Sequence, residues 1–111
     1  MNSKVSNILI VGAGQLGSRY LQGLVKCRVP LRIYVQDIFK ESLCRAEQRW
    51  SEALTPETLH EVSFYTSLAS LPKKIDIAIV ATTADVRPDV TGEIARRFDV
   101  RFWVFEKVLY L

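Results

Sequence analysis

Three glycines near the N-terminus carry the clearest chemical signal: Gly12, Gly14 and Gly17, spaced G-x-G-x-x-G within GAGQLG. The first permits a tight turn, the second lets backbone approach a bulky phosphate, and the third lets a helix lie close on a sheet. Backbone along Gly12, Ala13, Gly14, Gln15, Leu16 and Gly17 would then face an anion at a helix start, so a pyrophosphate is the expected guest. Alone, the pattern is weak. It gains force from its context. Ile8, Leu9, Ile10 and Val11 before it form an apolar run suited to a buried parallel strand, and a helical pattern follows.

Asp37 stands 20 residues beyond Gly17, at the tip of the second expected strand. A carboxylate there can accept hydrogen bonds from the ribose hydroxyls of NAD and repel the extra phosphate of NADP. The plainer alternative is a turn or helix-capping aspartate. Lys40, just beyond, would tolerate a 2′-phosphate, so NAD is the expected cofactor and NADP stays open.

These residues need elements to hold them. Leu16, Tyr20, Leu24 and Cys27 recur at helical spacing and predict a helix over 15–26, broken at Val29-Pro30. Leu31, Ile33 and Val35 alternate with polar neighbours into a second strand ending at Asp37. Phe39, Leu43, Ala46, Trp50 and Leu54 form the apolar stripe of a second helix, closed by Thr55-Pro56. A short third strand is expected over 62–66, one helical turn over 67–71, and a buried fourth strand over 75–81. Pro88 suits the first turn of a helix whose inner face is Val90, Ile94, Ala95 and Phe98. The fifth strand, 102–105, reads as apolar on both sides.

Strands and helices alternating at this spacing imply an α/β doubly wound parallel sheet, a Rossmann fold, ordered 3-2-1-4-5 with helices on both faces. Its ligand crevice would lie beyond the carboxyl ends of strands one and four, where the order reverses. Four stretches converge on that edge: the glycine loop, Asp37, the loop carrying Thr82, Thr83 and Arg87, and the pair Glu106 and Lys107.

The 111 residues are 49% hydrophobic with mean hydropathy +0.10, enough for one core. No apolar run approaches the roughly 18 residues of a membrane span, and the first residues are too few and too polar for a signal peptide. A cytoplasmic location is the default reading. Net charge is +3, but the basic residues are scattered and not interleaved with aromatics, so neither nucleic acid nor membrane is an expected partner. Cys27 and Cys44 lack disulfide-framework or metal spacing. His60, the only histidine, reads as solvated in a polar loop. Asp76 and Asp85 read as strand-entry and turn residues, and Trp50 and Trp103 as core. No Ser-His-Asp set, metal cluster or Tyr-x-x-x-Lys dyad is present.

Three stretches, ILIVGAGQLGSRYL, IAIVATTADVRPDV and WVFEKVL, together resemble the N-terminal half of the glucose-fructose oxidoreductase, inositol dehydrogenase and MocA-like (Gfo/Idh/MocA) family. The resemblance implies that Lys107 lies by the nicotinamide ribose and the substrate, with Glu106 beside it. A lysine there would polarise a hydroxyl or stabilise alkoxide charge. Three departures stand out. Val108 replaces the family's usual proline, Thr82-Thr83-Ala84 replaces a common Thr-Pro-Asn, and Arg87 stands near the place of a histidine. The family also implies a sugar or polyol substrate, and a second domain that carries the substrate pocket and an oligomer interface. Residues 1–111 are therefore expected to be a dinucleotide-binding domain, the N-terminal part of a longer two-domain protein, catalytically incomplete alone. Two other classes remain: a non-catalytic NAD-sensing domain, and a degenerate scaffold that binds no nicotinamide cofactor.

Overall fold

Ile8, Leu9, Ile10 and Val11 have no polar side chain to offer water, and they lie at the centre of the sheet. The computed structural model describes residues 5–24, 26–55, 60–82 and 85–105. Strand β1 (Ser6–Val11) pairs in parallel with β2 (Leu31–Gln36) on one side and β4 (Lys74–Val80) on the other. Strand β3 (Glu61–Tyr65) lies outside β2, and β5 (Asp99–Phe105) outside β4. The order is 3-2-1-4-5 and every pairing is parallel, as the alternation of elements predicts.

Successive side chains of β1 point to opposite faces, and each face meets its own layer. Ile8 and Ile10 pack in one cluster with Leu21 of helix α1 (Gln15–Leu24) and with Leu43, Ala46 and Trp50 of α2 (Lys40–Ala53). Leu9 and Val11 pack on the other side with Ile94 of α3 (Arg87–Arg97), with Phe98, and with Leu68 and Leu71 of the β3–β4 connection. Burial of each such side chain contributes roughly 1.5–3 kcal/mol.

Several local expectations change. Helix α1 stops at Leu24, where the amides of Lys26 and Cys27 donate to the carbonyls of Gly23 and Leu24 in a tightened turn, and Cys27 is exposed. Phe39 and Leu54 fall at the two caps of α2 rather than within it, so both point outward while Leu43, Ala46 and Trp50 hold the core. Ala95 is exposed, because Ile94 one residue earlier occupies the inward position on α3. Residues 67–71 form a turn with no helix, begun by the Ser67 hydroxyl accepting from the Ala69 amide at 3.1 Å. Strand β5 starts at Asp99 and is the last strand of the sheet among the described residues, where Phe102 and Phe105 are exposed instead of covered on both sides. Trp103 packs against the α3-side core as expected, though only half-buried, and stacks on Phe105.

His60 also departs from its reading. It is half-buried, its Nδ1 accepts from the Leu31 amide at 3.1 Å, and its ring lies 6.4 Å from that of Trp50. It ties the entry of β3 to the first residue of β2. Asp76 accepts from the Asn7 amide at 2.7 Å near the entry of β4, and Asp85 lies in a turn.

Candidate dinucleotide site

Strand register sets the rim. Val11 partners Gln36 on one side and Val80 on the other, Gln36 partners Tyr65, and Val80 partners Phe105. Gly12, Asp37 and Ala81 therefore leave the sheet side by side, at the point where the strand order reverses. Gly12 has φ +99°, a backbone region that side chains with a Cβ rarely adopt. A Cβ there would also stand 2.7 Å from the Ala81 carbonyl oxygen. Glycine at 12 is thus demanded twice, by the turn and by the neighbouring strand's exit. The Gly12 amide donates to the Gln36 carbonyl at 2.8 Å, and the Ala81 amide donates to the Val11 carbonyl at 2.9 Å. The loop is clasped between β2 and β4.

Gly14 is a different case. A Cβ built on it meets nothing within 4 Å, so no atom of the described residues requires glycine there. The space beside its backbone is open to a guest. Gln15, Leu16 and Gly17 form the first turn of α1, and the side chains of Gln15 and Leu16 lie outside the described residues. That turn holds no acidic residue, so the positive end of the helix dipole keeps its attraction for an anion.

Asp37 follows β2 and is half-buried. Its Oδ2 accepts from the Ala13 amide at 2.7 Å, and its Oδ1 accepts from the Phe39 amide at 2.8 Å. The second bond makes a turn of the aspartate type two residues on; the cap position of α2 belongs to Phe39, which makes no side-chain cap bond. An ionised carboxylate offers about four lone-pair directions. Two amides leave acceptor capacity for hydroxyl groups. The carboxylate is held against the glycine loop by a short charge-assisted bond spanning 24 residues of sequence.

Across the crevice, Thr82 follows the exit of β4. Its hydroxyl is buried and has no partner among the described residues, and its methyl stands 3.4 Å from where a Cβ on Gly12 would be. Arg87 opens α3, is half-buried, and donates from Nη2 to the Thr82 carbonyl at 3.2 Å. Pro88 occupies the start of α3, as its missing amide hydrogen favours. Gly12, Ala13, Asp37, Thr82 and Arg87 thus come together at one edge. Thr83, Glu106 and Lys107 lie outside the described residues.

Two features of this edge escaped the sequence reading. Ile38 and Phe39, directly after Asp37, are 74% and 64% exposed, and Val86 before α3 is 43% exposed. They give the rim apolar surface. The available signal was two large apolar residues immediately after a strand-ending acid. Gln36 is the other: it is 7% exposed, and its Nε2 donates to the Thr66 carbonyl at 2.9 Å, holding the exit of β3 to that of β2. Among the described residues no group of three or more His, Cys, Asp or Glu could hold a metal ion, and no helix is long and apolar enough to cross a membrane.

A left-handed glycine, an open backbone at Gly14, an acceptor at Asp37 and a Thr82 hydroxyl with no partner among the described residues meet at this one edge. The sheet order is that of the doubly wound dehydrogenase folds, and comparison with solved structures agrees. The 3-hydroxyacyl-CoA dehydrogenase of Archaeoglobus fulgidus superposes with TM-score 0.71 at 18% identity, over 95% of this chain and 35% of that one. The malate dehydrogenase of Salinibacter ruber gives 0.68 at 12% identity, over 90% and 36%. The prephenate dehydrogenase of A. aeolicus, in complex with hydroxyphenyl propionate and NAD+, gives 0.65 at 21% identity, over 86% and 31%. At such identities the likeness establishes the fold. The chain spans about a third of the length of each of these three structures. No protein-family model matches the sequence, and no curated protein matches it. The likeness is shared by several different dehydrogenases and does not single out the Gfo/Idh/MocA family.

Proposed function

We propose that this chain is the cofactor-binding part of an NAD(P)-dependent oxidoreductase, with NAD preferred, in a longer two-domain protein. The observation that carries the reading is the pairing of the open backbone at Gly14 with the Asp37 carboxylate bonded to Ala13. The diphosphate would rest on the amides from Gly14 into the first turn of α1. Asp37 would accept from the ribose hydroxyls and, already carrying a negative charge, disfavour a 2′-phosphate. The Thr82 hydroxyl would donate to the cofactor on the β4 side, and Arg87 would keep that loop in place through its carbonyl. Bound there, a nicotinamide ring would accept or deliver hydride.

The motif resemblance adds a sugar or polyol substrate, and it assigns Lys107 and Glu106 to the reacting end. Lys107 would hold a positive charge against the substrate oxygen as alkoxide character develops. In the resembled family the substrate pocket belongs to a second domain. The 111 residues are therefore expected to bind dinucleotide and to turn over nothing, and substantial dehydrogenase activity of this chain alone would contradict the assignment. In a longer protein, Lys107→Ala is expected to lower kcat while leaving cofactor affinity in place; an unchanged kcat would favour the NAD-sensing reading.

The competing scaffold reading has its own support. Both oxygens of Asp37 already hold amides, so the rim stands without a guest. A melting experiment separates the two. Cofactor at 100 times its dissociation constant should stabilise the fold by about 2.7 kcal/mol. A melting curve unmoved by NAD(H) and NADP(H) would leave only the scaffold.

A further inference from the structure

Gln36 is the last residue of β2. On its face of the strand Arg32 is exposed and Tyr34 half-buried, whereas Gln36 itself is buried. A carboxamide in such a place costs free energy unless its hydrogen bonds are made. The bond from Nε2 to the Thr66 carbonyl at 2.9 Å meets that need. It falls where the ladder between β2 and β3 gives out. Gln36 partners Tyr65, and the Asp37 amide makes the last rung, to the Tyr65 carbonyl at 3.1 Å. Beyond that rung the two chains part, one toward Phe39 and α2, the other toward the Ser67 turn. The Gln36 side chain adds a cross-link past the last rung. On its other side, the Gln36 carbonyl accepts from the Gly12 amide at 2.8 Å. One residue thus ties together the exits of β1, β2 and β3. Asp37 hangs from that junction. Its carboxylate oxygens accept from the Ala13 and Phe39 amides at 2.7 and 2.8 Å, so their place follows from where the Asp37 main chain is held. A terminal rung frays unless something beyond it is tied down.

We propose, resting on the dinucleotide reading of this site, that Gln36 is a positioning residue for nucleotide recognition. Its carboxamide binds the exit of β3 to that of β2, fixes the Asp37 carboxylate against Ala13, and so sets the preference for a ribose diol over a 2′-phosphate. Discrimination by charge requires the carboxylate to stand where the 2′-oxygen arrives, and it weakens as that charge gains freedom to move away. Gln36 acts through Asp37 and touches no ligand itself. A methionine or leucine at 36 would fill similar space with no partner to find, but it would leave the Thr66 carbonyl without this donor and the last rung without support.

Gln36→Met keeps the side-chain length and removes the donor. In the 111-residue chain the nuclear magnetic resonances of the Ala13 and Phe39 amides are expected to move, and the ratio of NAD to NADP affinity in calorimetry to fall about tenfold. Gln36→His keeps a ring N–H at about the reach of the carboxamide and should recover most of that ratio. A side chain that only fills space would leave the Ala13 resonance and the ratio where they are in the parent. Hydrogen exchange in the parent chain gives a reading that needs no variant. The Gln36 side-chain amide protons and the main-chain amides of Ala13, Asp37 and Phe39 should lose protection in one step as denaturant is added, before Ile10 in the centre of β1 does. An Ala13 amide that stays protected after the Gln36 side chain has exchanged overturns the assignment. So does a Gln36→Met chain with the parent's Ala13 resonance or cofactor ratio, or a folded Gln36→His chain no better than Gln36→Met. The exchange measurement uses no cofactor, so it decides the role of Gln36 even if the parent binds neither NAD nor NADP, a result that would count against the dinucleotide reading instead.

Discussion

Gly12 and Gly14 belong to one motif but answer to different forces, and substitution should separate them. At Gly12 a methyl group would collide with the Ala81 carbonyl in a backbone conformation that already disfavours it. Gly12→Ala is expected to lose stability by about 1–3 kcal/mol or more, read as a drop in melting temperature without any ligand. At Gly14 the same methyl meets empty space. Gly14→Ala should melt within about 1 kcal/mol of the parent, yet bind NAD at least tenfold more weakly in calorimetry. Equal affinity in that variant would remove the guest from the proposed position. Asp37 combines both roles. Asp37→Ala frees the Ala13 and Phe39 amides, costing about 1–3 kcal/mol, and removes the ribose acceptor. Asp37→Asn keeps one acceptor for Ala13 but places an NH₂ where a second acceptor is wanted. It should lose less stability than the alanine variant while narrowing the preference for NAD over NADP. A variant that binds both cofactors with the parent's preference would assign Asp37 to structure alone.

At the scale of elements, the contacts that hold the rim are between strands, not within them. Leu9 is fully buried between β1 and the α3 layer. Leu9→Ala should cost about 2–5 kcal/mol in denaturant unfolding, with the size depending on how far the site collapses. His60 offers a sharper test because its polar sequence neighbours predict a solvated loop residue, whereas the fold half-buries it. Its Nδ1 serves the first amide of β2 across 29 residues. His60→Phe keeps the ring beside Trp50 but removes the acceptor, and an unpaired, partly buried amide costs about 1–3 kcal/mol. A variant with unchanged stability would show that water replaces the imidazole. Element boundaries were legible where a backbone-specific residue marks them, as Pro88 marks the start of α3. They were less so where apolar residues continue past the end of a helix. Phe39, Leu54 and Cys27 extend helical stripes by count, but the helices end first and the side chains turn to solvent.

For the whole molecule, the alternation of apolar runs and amphipathic helices leaves few topologies, and the parallel order 3-2-1-4-5 follows from it. That order alone brings the glycine loop, Asp37 and Thr82 to one edge from positions up to 70 residues apart. The four-residue run Ile8–Val11 announces a strand covered on both faces, and Gly12 a turn that other residues resist. Both are statements about local chain chemistry, so the residues alone determine them. What the neighbours of a residue are is a different kind of fact. That the Asp37 carboxylate reaches the Ala13 amide, that His60 faces Leu31, and that Gln36 holds the Thr66 carbonyl depend on how distant segments meet. Only tertiary packing decides those, because hydrogen bonding and exposure are properties of pairs brought together in space, and no residue carries them by itself.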